Sequence, residues 1–470
     1  MLEIRSRHRL AQACLKLREN GTAMDKQDSI WSRLKTLWAK FADYSWSLAD
    51  QAVVSAASFV TIVLLARYTS ASEVGIYVVG LSVLAISLTI QDSLVIRPYT
   101  TQLFKSASTA PEHAFSALAL SFLLSCAISL SCLLASLIVY LAGNNWDIAQ
   151  LLCVVALAAP LGLFREFMRR FGFANMHMFR SFLMDLASVL LSLAALAILA
   201  ANGALSANRA ILSIALVQGI TSACWLVFDR SAFKIKFGAV LENTRMSWRL
   251  GRWLLPGRLA MESQGYMIHW ASTLVSGTAL TGVYSASLSI IGLANPLLVG
   301  MFNVMLPKSV RVLHNHGFAA LRQHILLDTF FVALVSGAFV VFIYFAGEPL
   351  MRLLFPGREY AGSGMILTLL SLSYFAACVG GPPAIALTIA ERSREVAALS
   401  VLTCIASVVT VFSLMHAYGL VGAVTGMLAI EAIGSILRWA MVLVLLGDEN
   451  QMPASKNSVS MKPSHQTAKI

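Results

Sequence analysis

The segment DRSAFKIKFGAVLENTRMSWR, residues 229–249, is the longest polar interruption inside an otherwise apolar chain of 470 residues, and it decides the fold. A transmembrane helix needs about 20 consecutive, mostly apolar residues. Six stretches of that kind precede the segment, at roughly 45–66, 74–95, 114–142, 148–168, 181–201 and 210–228. Six more follow it, at roughly 250–275, 280–305, 325–346, 364–389, 396–417 and 420–446. The expectation is an all-α polytopic membrane protein of about 12 transmembrane helices. It divides into a basic N-terminal segment (1–44), a six-helix bundle (45–228), a basic linker (229–249), a second six-helix bundle (250–446) and a polar tail (447–470).

Composition agrees. Only 12% of the residues are charged and 58% are hydrophobic, whereas soluble domains carry about 25% charged residues. That excludes an ordinary soluble enzyme, a disordered chain and a disulfide scaffold. The seven cysteines form no CxxC pair, and six of them lie in apolar stretches as small packing residues. The net charge of +12 would suit nucleic acid if the basic residues were clustered for it. They alternate instead. With the N-terminus inside, the inner segments hold 29 Lys and Arg and the outer loops hold four. That asymmetry sets cytoplasmic termini and removes nucleic acid as a partner. Ahead of the first span, Ile30, Trp31, Leu34, Leu37, Trp38 and Phe41 recur at helical spacing beside Arg33, Lys35 and Lys40, the pattern of an interfacial amphipathic helix.

The two halves repeat faintly. Gly75-Ile76-Tyr77 opens the second stretch and Gly282-Val283-Tyr284 the eighth, with Pro98 and Pro307 following 23 and 25 residues later. Paired six-helix repeats place a substrate cavity between them. No GxxxxGK[ST], HExxH or GxSxG motif occurs, and the outer loops are short, so the sequence favours moving a substrate over reacting one. No enzyme activity, metal or cofactor is expected.

Charges within the spans are expensive and therefore informative. At 100° per residue, Arg258, Glu262, Gly265, His269, Ser272 and Ser276 form one polar stripe on the seventh stretch, expected to line a cavity. Arg258 and Glu262, four residues apart, can pair. Further candidates are Asp50 and Gln51 in the first stretch, Gln91, Asp92 and Arg97 at the second, Asp185 in the fifth, and Glu431 and Arg438 in the twelfth. The carboxylates are also candidates for carrying a coupling proton. For the serines beside them, hydrogen bonding between helices is the plainer role. Pro160, Pro256, Pro296 and the run Gly380-Gly381-Pro382-Pro383 mark expected kinks, the last a candidate hinge.

Several runs resemble a known family. Leu48-Ala49-Asp50-Gln51-Ala52-Val53-Val54-Ser55, then Leu64-Leu65-Ala66-Arg67 and Glu73-Val74-Gly75-Ile76-Tyr77, are similar to the opening of polysaccharide-export, Wzx-type flippases of the multidrug/oligosaccharidyl-lipid/polysaccharide exporter superfamily. Phe164-Arg165-Glu166-Phe167-Met168-Arg169-Arg170 and Tyr418-Gly419-Leu420-Val421-Gly422-Ala423 fit the same pattern. The resemblance implies a MATE-like fold, two bundles around a central cavity opening alternately to each side. It also implies a cargo, an undecaprenyl-diphosphate-linked oligosaccharide moved across a bacterial inner membrane, with membrane lipids, a polysaccharide polymerase and a chain-length regulator as candidate partners. Arg258 then suits the diphosphate, with Arg97 and Arg438 as further cations, while Glu262, His269, Gln51 and Gln91 suit sugar hydroxyls. A proton or sodium gradient is the candidate energy source. The competing expectation is a multidrug or cation antiporter of the same superfamily.

Overall fold

The computed structural model describes residues 45–46, 48–103, 110–143, 146–390 and 392–448. The amphipathic helix expected over 30–41 and the tail beyond 448 lie outside the described residues. Within them, all regular structure is helical. The first half contains α1 (Leu48–Tyr68), α2 (Ala71–Leu103), α3 (Ala110–Leu141), α4 (Trp146–Ala174), α5 (Met178–Ala201) and α6 (Ala207–Phe228). A short helix, α7 (Phe237–Gly251), occupies most of the linker. The second half contains α8 (Leu255–Ser276), α9 (Thr278–Gly292), α10 (Asn295–Leu354), α11 (Gly364–Val379), α12 (Gly381–Ile389) and α13 (Ser393–Asp448).

Nine helical segments among the described residues are long and apolar enough to cross a membrane. Two of these are antiparallel pairs joined at a glycine: α10 turns at Gly317 (φ 76°) and α13 at Gly419 (φ 63°), backbone angles that glycine adopts without a Cβ penalty. The 22-residue α8 adds a more polar crossing. The short α9 continues into the first arm of α10 after a break at Leu293 and Ala294. Twelve passages result, six on each side of α7. The exterior matches a bilayer: Leu134, Ile138, Phe330, Phe331 and Phe345 all turn large apolar side chains outward.

Local chemistry explains the main departures from straight helices. Ser70 caps α2 by accepting from the Glu73 amide, and Glu73 in turn accepts the Ala207 amide at 2.6 Å, tying the start of α6 to α2. Near the other end of α2, Pro98 has no amide hydrogen, and its ring crowds the carbonyl four residues back. The helix responds with a π-turn over Asp92–Ile96, in which the Arg97 amide reaches the Asp92 carbonyl. Pro256 opens α8 instead of kinking it, and Pro160 sits inside a continuous α4. The break expected at Gly380 is present, between α11 and α12.

The repeated glycines meet. α2 and α9 cross so closely at Gly75 and Gly282 that a Cβ on Gly75 would overlap the Thr278 carbonyl, and one on Gly282 would overlap the Ala71 carbonyl. Ser72 and Thr278 hydroxyls bond there at 2.6 Å. Around the crossing, Arg67 donates to the carbonyls of Leu353 (2.6 Å) and Leu354 (3.1 Å) at the end of α10. Glu359 accepts the Ala71 amide at 2.7 Å. Each of these bonds joins the first half to the second, and together they seal the end of the molecule opposite α7.

Candidate functional site

Between that seal and α7, the space bounded by α2, α4, α6 and α8 holds two adjoining cavities that share Ala85, Leu88 and Glu166 in their walls. The one nearer the seal measures about 240 Å³ and is mostly apolar, with Tyr77, Leu81, Ile214 and Tyr266. The other measures about 200 Å³ and is polar, with Thr89, Asp92, Glu166, Arg170, Arg258 and Glu262. A larger lateral cleft of about 440 Å³, between α3, α4 and the end of α6, is lined by Phe115, Phe122, Phe164 and Leu226 and contains no charged residue. The candidate site is the polar chamber.

Its organising carboxylate is Asp92, on the π-turn. Arg97 Nε donates to Asp92 Oδ2 at 2.7 Å, and Arg258 Nη2 approaches the same oxygen at 3.3 Å. Arg258 therefore pairs across the two halves with Asp92, not with Glu262 one turn along its own helix. The π-turn accounts for this, because it displaces Asp92 from the regular helical path just where α8 passes. Arg170 Nε similarly holds Glu166 Oε1 at 2.7 Å. The arginines and carboxylates differ in access. Arg97, Arg170 and Arg258 keep 48%, 46% and 39% of their side chains accessible, whereas Asp92 and Glu166 each keep 13%. In each pair the guanidinium is the more accessible member, and Glu262, the third carboxylate of the wall, has no ion pair among the described residues.

Behind the chamber lies a second charge cluster, nearly dry. Arg169 donates to Asp50 Oδ2 at 2.6 Å and to Asp185 Oδ2 at 2.7 Å, and Arg165 Nη2 donates to Asp185 Oδ1 at 2.5 Å. Glu166 lies 3.4 Å from both arginines. Asp185 and Asp50 are 0% and 1% exposed, so α1, α4 and α5 are joined by ion pairs that burial would make costly if any partner were missing. The expected cavity-facing roles of Asp50 and Asp185 give way to this one: both carboxylates are occupied by arginine. The sequence reading ends the fourth stretch near residue 168, so Arg169 and Arg170 fall outside it. They belong instead to α4, which runs on to Ala174. Leu163, Phe167 and Phe171, four residues apart and all buried, carry the helical period through them and were the available signal.

Of the remaining candidates, Gln91 also lines the polar chamber, and the others lie away from it. Gln91 is fully buried, and its amide nitrogen donates to Ser121 Oγ (2.6 Å) and the Leu163 carbonyl (2.9 Å), clamping α2 to α3 and α4. Both amide hydrogens are used, while its Oε1 is buried in the chamber wall without a partner. Gln51, next to the buried Asp50, is exposed. The stripe on α8 is open from Arg258 to Gly265 and again at Ser276, and closed at His269 and Ser272 between them. His269 is 2% exposed, its ring 5.5 Å from that of Tyr266 and 4.8 Å from that of Tyr284, and Ser272 bonds Thr281 at 2.7 Å. The neighbouring α9 covers this part of the helix, so His269 and Ser272 are packing residues, not cavity walls. Glu431 and Arg438 lie on the second arm of α13, where the Arg438 guanidinium and the Ser435 hydroxyl press on Gly380 at the α11–α12 break. They are not part of the polar chamber.

No family model matches the sequence, and no curated protein matches it. Solved structures do match in fold. One is the inward-facing conformation of a multidrug resistance MATE family transporter of the MOP superfamily, with a TM-score of 0.67, 17% identity, and coverage of 88% of this chain and 96% of that one. Another is a MOP superfamily transporter from Pyrococcus furiosus, described as having a binding pocket of reversed polarity that suggests a different function (TM-score 0.60, 15% identity, 86% and 94% coverage). A third is a mutant of a Vibrio cholerae MATE transporter (TM-score 0.60, 16% identity, 88% and 98% coverage). This chain has the all-helical, membrane-spanning fold of MATE transporters of the MOP superfamily.

Proposed function

We propose that the chain moves an undecaprenyl-diphosphate-linked oligosaccharide from the inner to the outer leaflet of a bacterial inner membrane by alternating access, supplying polysaccharide biosynthesis. The observation that carries this is the ordering of charge at the polar chamber, where accessible Arg170 and Arg258 line the wall, Arg97 backs Asp92, and Asp92 and Glu166 are largely covered. A diphosphate can take over from Asp92 as the partner of Arg97 and Arg258, exchanging one charge-assisted set of hydrogen bonds for another. The apolar chamber beside it leaves room for the less charged part of the cargo. The end bearing α7 is the cytoplasmic one on the positive-inside count, so the sealed α2–α9 end faces outward and the described state is inward-facing. The pocket of reversed polarity in the Pyrococcus furiosus transporter is a precedent for altered pocket charge on this fold. Polysaccharide polymerase and chain-length regulator proteins would be its natural partners.

Energy coupling to a proton or sodium gradient requires a carboxylate that is free to change partners. Asp50 and Asp185 are held by Arg169, which leaves Glu262 and Glu431 as the better candidates. Glu262 also supports the second reading, a multidrug or cation antiporter, because it lines the polar chamber without an ion pair among the described residues. Deletion separates the two. Loss of surface polysaccharide, with lipid-linked repeat units retained in the inner leaflet, supports the flippase. An intact glycan together with raised drug sensitivity supports the antiporter.

A further inference from the structure

The linker between the halves has a chemistry of its own. α7 uses one face for docking: Asn243 Nδ2 donates to Ser116 Oγ of α3 at 2.9 Å, Ser247 is buried, and Gly251 packs against the Ser93 carbonyl and Leu94 of the π-turn. Lys236, just before the helix, holds Glu112 at 2.7 Å. These contacts fix the rotation of the helix about its axis. At 100° per residue, Trp248, Leu241, Arg252 and Arg245 then fall within an arc of about 60° away from the docked face, with Arg249 next to them. Leu241 and Trp248 are 70% and 54% exposed, and all three arginines are exposed. Among the described residues no carboxylate pairs with Arg245, Arg249 or Arg252, and Glu242 is the helix's one acid. Arg252 lies 5.2 Å over the ring of Trp253, itself 77% exposed.

We propose that this face of α7 is a docking surface for anionic phospholipid headgroups, with Arg245, Arg249 and Arg252 meeting the phosphates and Trp248 and Leu241 seated at the acyl boundary. Charge complementarity chooses the occupant. Three unpaired guanidinium groups alternate with an indole and a leucine, the composition that holds a helix in the boundary plane of a charged leaflet. A zwitterionic surface would satisfy the apolar residues and leave the arginines without counter-charge. The opposite face rests on the π-turn that carries Asp92, so headgroup binding acts one helix away from the polar chamber. The inference concerns the lipid and holds whichever cargo the chamber takes.

The test uses the full chain in nanodiscs made from equal amounts of phosphatidylglycerol and phosphatidylcholine, released into detergent and weighed with its retained lipids by native mass spectrometry. The wild type should retain phosphatidylglycerol in excess. The variant Arg245→Gln/Arg249→Gln/Arg252→Gln should lose that preference by roughly fivefold per arginine removed. Arg358→Gln, on the sealed end, should keep it. Equal retention of the two lipids by the wild type overturns the proposal without recourse to any variant, and would leave the surface to an acidic protein. An undiminished preference in the folded triple variant overturns it as well.

Discussion

Placing a methyl group at Gly75 or Gly282 perturbs the seal at its tightest point. A Cβ on Gly75 would stand 2.8 Å from the Thr278 carbonyl carbon and 3.2 Å from the Gly282 nitrogen. A Cβ on Gly282 would stand 2.8 Å from the Ala71 carbonyl carbon and 3.2 Å from the Ala71 Cα. Non-bonded carbons rest at about 3.5–4.0 Å, so the two helices must move apart by about 1 Å. The opposing atoms are backbone, and no side-chain rotation relieves the clash. Overpacking of this kind costs about 1–3 kcal/mol, and about 1.4 kcal/mol is tenfold in an equilibrium. Only the state with α2 and α9 crossed pays that cost. Gly75→Ala or Gly282→Ala should therefore shift the closed-to-open ratio of this end by roughly five- to 150-fold, and the double variant further. The assay is labelling of Ala85→Cys, a residue in the wall of both chambers, in a background without other cysteines, using a membrane-impermeant thiol reagent. In the parent, the reagent should reach Cys only from the α7 side. In the glycine variants it should also reach it from the sealed side, and transport should fall. Unchanged labelling from both sides, with unchanged transport, would refute the assignment of this crossing as a gate.

Other consequences follow from the charge clusters. Arg169→Ala strands the buried Asp50 and leaves Asp185 with Arg165 alone; it should cost about 3–5 kcal/mol, measured as lower yield and earlier thermal unfolding, with partial recovery when Asp50→Asn is added. A variant as stable as the parent would dismiss the cluster as a fold determinant. Gln91→Leu removes two interhelical hydrogen bonds and should lower stability by about 1–3 kcal/mol while the surviving folded protein transports normally. Loss of transport at unchanged stability would return Gln91 to a cargo role. Glu359→Gln weakens the charged cap on α2 and should raise labelling of Ala85→Cys from the sealed side by a few-fold without abolishing transport. No change in labelling would separate Glu359 from the gate.

The reach of the sequence can be judged from particular residues. Apolar length and alternating basic loops were sufficient for the twelve passages, because both follow from transfer energies summed over many residues. The Gly75 and Gly282 repeat was visible as a pattern, although its purpose, a backbone crossing between halves, depends on tertiary approach. Arg169 and Arg170 fall beyond the stretch read at 148–168 because that reading ends a helix at its apolar run, whereas Phe167 and Phe171 continue the buried face of α4 past it. His269 was misplaced for the opposite reason. A helical wheel gives the direction of a side chain and says nothing of the neighbour it meets, here α9. Arg258 was found, and its partner was not, since Asp92 lies 166 residues away in sequence on a turn reshaped by Pro98.

The central claim is that accessible arginines in front of covered carboxylates select an anionic, lipid-linked cargo. The most direct measurement is translocation of a polyprenyl-diphosphate-linked oligosaccharide across proteoliposomes containing the purified full chain. The account predicts movement by the parent and its loss in Arg258→Ala at equal protein abundance and thermal stability. Full translocation by Arg258→Ala, or no translocation by the parent while a small organic cation is exchanged through Glu262, would contradict it.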